Sequence, residues 1–209
     1  MPYSISLSSH AVPEIDIHCN HMSEYEEADY ALYKIKAGRN GNTILNGIQQ
    51  ITSGERRVHI MVNTEGISEA SGMLTNEQII RHNVPVNPTD PEHLSKVLEV
   101  ASKGESVIPV VFFNPNYSVD VDYKNKSWIV EDKDMAFISL AHELVHAYHL
   151  LNGTSLAVNT AHYRDPSFTH QMEEERALGI NDFEGHGFSE NGVRIDHAYP
   201  IRTNYFTEN

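Results

Sequence analysis

Apolar and polar positions along this chain follow two rhythms, and the changes of rhythm mark its elements. Over residues 24–36 the apolar side chains Tyr25, Ala28, Leu32 and Ile35 recur near helical spacing, which predicts an amphipathic helix. Ser23 stands where a cap belongs, and Glu26, three residues on, completes a capping box. Residues 38–41 read as a turn, and residues 43–51 as a short helix ended by Gly54. The β-branched run at 57–62 predicts a strand. Three prolines make 83–91 a loop, and residues 92–101 follow as a helix, with Asp90 ahead of Pro91 as its cap. The most apolar stretch, 107–113, predicts a strand whose Pro109 belongs at an edge or a bulge, because proline has no N–H to donate. Residues 118–123 alternate with period two and turn near Asn125, and 127–130 supply the hairpin partner. The longest helical pattern covers 134–151 and ends at Gly153. A loop over 152–169 leads to a helix at 171–178, ended by Gly179. The last thirty residues are polar and irregular.

The 134–151 helix carries the clearest chemistry. It is apolar on most sides, through Met135, Ile138, Leu140, Ala141, Leu144, Val145, Tyr148 and Leu151, so it belongs inside the domain. It also holds His142-Glu143-Leu144-Val145-His146. Residues i and i+4 share a helix face, so His142 and His146 can aim two imidazoles at one ion. Glu143 sits one step round, within reach of a water on that ion. A zinc ion lowers the pKa of such a water to about 7, which suits Glu143 as general base. A chance match on an amphipathic helix is the bland alternative. Burying two histidines and a glutamate without a partner is costly, and a metal site satisfies all three.

A catalytic zinc takes three protein ligands and keeps one position open. The metzincin continuation H-E-x-x-H-x-x-G-x-x-H fails, because His149 and Asn152 occupy the glycine and third-histidine positions. His149 lies too far along the helix axis to join the same shell, which leaves it as a supporting donor or a solvated residue. The remaining common solution is a glutamate from a following helix, and Glu173-Glu174-Glu175 offers one. Asp165, His162 and His170 are fallback ligands.

Composition narrows the function further. A net charge of −14 over 209 residues argues against nucleic acid or an anionic membrane as partner, since both require a basic surface. Cys19 is the single cysteine, so no intramolecular disulfide forms and the fold does not depend on an oxidising compartment. No apolar run approaches the roughly 20 residues needed to span a bilayer. The N-terminal residues lack the basic and apolar regions of a Sec-type signal. The polar, serine-rich start reads as a leader for some other export route or as an ordinary frayed end. The expectation is a flexible leader over 1–22 and a single domain over 23–209.

Residues 172–179, Met-Glu-Glu-Glu-Arg-Ala-Leu-Gly, are similar to the E-E-x-R-x-x-G segment that follows H-E-x-x-H in the clostridial neurotoxin light chains. The resemblance implies Glu173 as zinc ligand and Glu174 as its support. Arg202-Thr-Asn-Tyr205 resembles the R-x-x-Y of the same proteins, which implies that Arg202 and Tyr205 stabilise the tetrahedral oxyanion. Chain length, the HELVHAYH context and the C-terminal R-x-x-Y resemble most a second group, the NleD-like type III-secreted effector metalloproteases of Gram-negative pathogens. That resemblance implies delivery into the host cytoplasm and cleavage of host MAP kinases of the JNK and p38 type in their activation loops.

The expectation is therefore an α+β, zincin-like domain. It combines a small twisted sheet, the active-site helix and a mostly helical and irregular C-terminal part. One Zn2+ per chain sits on His142, His146 and Glu173, and the protein acts as a monomer on a host protein. Residues 107–130 are the expected edge at which a substrate strand is added. The rivals are a zinc protease with another host substrate, a metal-dependent hydrolase that is not a peptidase, a degenerate binding module, and an interaction protein without metal.

Overall fold

The computed structural model describes residues 3–156 and 166–205. Its framework is a five-stranded mixed sheet built from β1 (Ile5–Ser8), β2 (Ile15–Cys19), β3 (Val58–Val62), β4 (Glu69–Met73) and β5 (Ile108–Phe113), in the order β1-β2-β3-β5-β4. The β2–β3 and β3–β5 pairs are parallel, and the two outer pairs are antiparallel. Alternate residues Ile15, Ile17 and Cys19, Val58, Ile60 and Val62, and Val111 and Phe113 are buried, as the period-two geometry of a strand requires. They share one core with α1 (Met22–Ala37), α2 (Arg39–Ile51) and α5 (Ala136–Leu151). A smaller apolar cluster joins α4 (Pro91–Ser102) to the β4–β5 end of the sheet through Val97, Val100 and Val107. A separate hairpin pairs β6 (Tyr117–Val121) with β7 (Ser127–Glu131). Two C-terminal helices, α6 (Pro166–Leu178) and α7 (Glu190–Asp196), pack against α5. The α+β architecture agrees with the expectation.

Several expectations change. Residues 1–22 were expected to be flexible, yet 5–8 and 15–19 form β1 and β2, and Ile15, Ile17 and Cys19 enter the main core. The boundary at 22/23 thus falls inside one hydrophobic unit. The α1 cap lies two residues earlier than expected: a Glu24 carboxylate oxygen accepts the N–H groups of Asn20 and His21, at 2.8 and 3.1 Å. The turn at 38–41 is the start of α2. Its free N–H groups at Asn40 and Gly41 donate to Asp196 of α7, at 2.7 and 3.1 Å. A cap from so far along the chain leaves no local signal. Gly38 is needed there, because a Cβ would collide with the Asp196 carboxylate.

β5 lies inside the sheet, so the expected edge at 107–130 moves. β4 is the edge beside α5, missed because Glu-Ala-Ser-Gly-Met has no β-branched residue. Pro109 still satisfies its rule. The β3 register begins at Val110, so Pro109 pairs only with Gly72 of β4. A helix at Asn76–His82 (α3), capped by Thr75 and Gln78, was also missed. Among the described residues no helix is long and apolar enough to cross a membrane.

Candidate active site

α5 is buried on most of its circumference and runs against β5, β6, α1, α2 and α7. His142 and Glu143 are buried on it. One turn apart, the Nε2 atoms of His142 and His146 lie 3.1 Å from each other. Glu174 of α6 closes the triangle, with one oxygen 3.1 Å from His142 Nε2 and the other 3.5 Å from His146 Nε2. These three residues are the one group of metal-ligating side chains brought together among the described residues. Two ligand atoms at about 2.0–2.1 Å from a tetrahedral ion lie about 3.3 Å apart. The observed triangle has that size, and its donor set of two imidazoles and a carboxylate suits zinc.

The choice between Glu173 and Glu174 reverses the expectation. Consecutive helical residues point about 100° apart, so only one of the two can face the imidazole pair, and that one is Glu174. Glu173 lies behind His146, 3.2 Å from its Nδ1. It also accepts the Leu156 N–H at 2.7 Å and pairs with Arg176. His170 approaches Glu174 to 3.5 Å from the exposed side and is outside the triangle. His162 and Asp165 lie outside the described residues. His149 is outside the triangle. Its Nδ1 is 2.9 Å from Thr154 Oγ1, and burial, with Arg176 nearby, pulls its pKa down to about 4.

A second carboxylate, absent from the sequence reading, holds the other histidine. Glu190 of α7 is buried, with one oxygen 2.9 Å from His142 Nδ1. It also accepts hydrogen bonds from Arg194 Nε at 2.7 Å and from an Arg202 terminal nitrogen at 3.2 Å. Both Nδ1 atoms thus face carboxylates, which leaves both Nε2 atoms for the ion. The available signal was the Ser189-Glu190 pair, since Ser189 caps α7 by accepting the Gly192 N–H. The polar surroundings gave it no apolar period.

Electrostatics follow from this packing. Burial works against protonating His142, but Glu174 and Glu190 outweigh it and carry its pKa up to about 9. His146 is raised in the same way, by Glu173 and Glu174. Burial opposes ionisation of Glu173, yet His146 and Arg176 hold it down to about 2. Glu174 and Glu190 are likewise held well below the usual carboxylate range. Glu143 differs: burial raises its pKa, which makes it the more basic carboxylate of the site.

The triangle opens into a cleft of about 730 Å³ that runs from α5 past β4, α4 and the β6–β7 hairpin. Glu143, Arg202 and Tyr205 all line it. Arg202 is buried. It exchanges two 2.8 Å bonds with the Asn191 side chain and donates to the Tyr205 carbonyl at 2.7 Å. Among the described residues, His142, Glu143, His146, Glu173, Glu174, Arg202 and Tyr205 line one cleft, with Glu174 rather than Glu173 facing the imidazole pair.

A family model of effector proteins, Peptidase M91, matches residues 16–209. The chain belongs to that family. It is accordingly a peptidase of the NleD-type effector group. The chain also resembles solved structures. With the catalytic domain of Clostridium botulinum neurotoxin serotype F it shares 14% identity at a TM-score of 0.50, over 100% of this chain and 74% of that one. With the botulinum neurotoxin serotype HA light chain it shares 11% identity at a TM-score of 0.51, over 90% and 66%. At these identities the likeness is one of fold. No curated protein sequence matches significantly.

Proposed function

We propose that this M91 effector peptidase is a zinc-dependent endopeptidase that acts inside host cells on an extended segment of a host protein. The observation that carries the reading is the convergence of His142 Nε2, His146 Nε2 and a Glu174 oxygen beside Glu143. His142, His146 and Glu174 would hold one Zn2+, with Glu173 and Glu190 orienting the imidazoles. When bound, zinc supplies Lewis-acid activation of the attacking water and the scissile carbonyl.

The protein's own groups do the rest. Glu143 takes a proton from the attacking water as the oxygen bonds to the carbonyl carbon, and passes it to the amine as the C–N bond breaks. Arg202 and Tyr205 supply donors toward the developing oxyanion, a contribution of several kcal/mol in a pre-organised site. β4, with a sheet neighbour on one side only, is suited to bind the substrate backbone by strand addition.

The substrate we favour is a MAP kinase of the JNK or p38 type, cut in its activation loop, with the N-terminal residues serving export. The test is incubation of zinc-loaded protein with host lysate, with a Glu143→Ala control, followed by sequencing of new N-termini. Fragments beginning inside a MAP kinase activation loop, seen only with the active protein, are expected. New termini confined to other proteins would keep the peptidase and discard the kinase.

A further inference from the structure

The walls of the cleft away from the metal ligands carry apolar side chains that neither core cluster buries. Leu94 and Leu98, one turn apart on α4, line it together with Ile67 before β4 and Ile129 on β7. They remain 40, 57, 59 and 41% exposed. Single exposed leucines are ordinary. Four large apolar side chains lining one cleft form a patch, and such patches mark contact sites. α4 is held there by its neighbouring residue Val97, which packs toward Gly72 of β4. The leucines are therefore presented from a packed helix.

Charge indicates the occupant. Among the glutamates lining the cleft, Glu173 pairs with Arg176, Glu190 with Arg194 and Arg202, and Glu174 with the two histidines. Glu69, outside that cluster, is thus the carboxylate an incoming segment meets at the β4 wall. Glu69 is exposed at the start of β4, on a chain of net charge −14. An acidic peptide meets repulsion at this entrance and a basic one attraction. A strand added to β4 alternates its side chains, so every second one turns to the same side of the sheet.

We infer that the cleft selects extended polypeptide segments with a bulky aliphatic or aromatic side chain seated against Leu94, Leu98 and Ile129, and a lysine or arginine near Glu69. The inference takes its extended occupant from the peptidase reading, but the contact is a binding property that can be read without turnover. The experiment uses the full-length, zinc-loaded Glu143→Gln protein to select from a random displayed peptide library. Enriched peptides are resynthesised, and their binding is measured by fluorescence anisotropy.

Bulky apolar residues with a neighbouring Lys or Arg are expected to be enriched. The Leu94→Ser/Leu98→Ser double variant should bind such peptides about 10-fold more weakly or worse, the change expected when apolar burial is lost. Glu69→Lys should turn the charge preference toward Asp and Glu. If the double variant fails to fold, Ile129→Ser on β7 is read in the same way. No enrichment, enrichment indifferent to apolar content, or unchanged affinity in the folded variants would overturn the inference. So would a change of oligomeric state with unchanged peptide binding, which would make the wall a self-association surface. Peptides that bind as predicted but are never hydrolysed by the wild-type protein would leave the inference standing and sink the peptidase reading.

Discussion

Glu190 places a carboxylate oxygen 2.9 Å from Nδ1 of His142, across 48 residues of chain. That contact fixes which imidazole nitrogen faces the cleft, and Glu190 also neutralises two buried arginines, Arg194 and Arg202. Glu190→Gln should weaken zinc binding about 10–100-fold, the usual effect of losing such a supporting carboxylate. Glu190→Ala, which leaves both arginines without their carboxylate, should also destabilise the fold by about 3–5 kcal/mol. Competition with a chelating dye and urea unfolding measure the two effects. Wild-type zinc affinity in Glu190→Gln would show that His142 is oriented by something else.

Glu143→Gln should keep the metal and lose activity by about 100-fold or more. Zinc content by mass spectrometry, with turnover of an identified substrate, separates those two outcomes. Loss of both together would make Glu143 a structural residue.

The metal-free protein should be most stable in mildly acidic solution. The raised His142, with a folded pKa of about 9 against an ordinary 6.5, contributes stability that is full below pH 6.5 and lost as pH rises through 9. His146 acts in the same direction. Glu173, at about 2 against 4.5, contributes stability that is present above pH 4.5 and lost as pH falls through 2. His149, lowered to about 4 against 6.5, contributes stability that is present above pH 6.5 and lost as pH falls through 4, so the maximum lies at about pH 6. Zinc requires neutral imidazoles, so the rise in Tm on adding zinc should grow from pH 6 to pH 9, and acid should release the ion. Calorimetry with and without zinc checks both signs.

Asp196 caps α2 from 156 residues away, at Asn40. Asp196→Ala should cost about 0.5–2 kcal/mol, as loss of a helix cap does, and should leave zinc content unchanged. Chemical denaturation measures the cost.

What could be read from the sequence depended on range. α5, β3, α4 and the β6–β7 hairpin declare themselves through local period, caps and turn residues, and so did the His142–His146 pair. β4 stayed hidden because its first four residues are small or polar and only pairing with β5 makes it a strand. The start of α2 depends on Asp196, and the hold on His142 depends on Glu190. Both are contacts between distant segments. Glu173 and Glu174 look alike in sequence, and the rotation of α6 against α5 decides between them.

One zinc ion is expected on His142 Nε2, His146 Nε2 and Glu174. Diffraction from zinc-loaded crystals across the zinc absorption edge tests it most directly. One anomalous peak per chain is expected at about 2.0–2.2 Å from those three groups, retained in Glu173→Gln crystals and lost from Glu174→Gln crystals. A peak bonded to Glu173, or no peak between the two histidines, would contradict it.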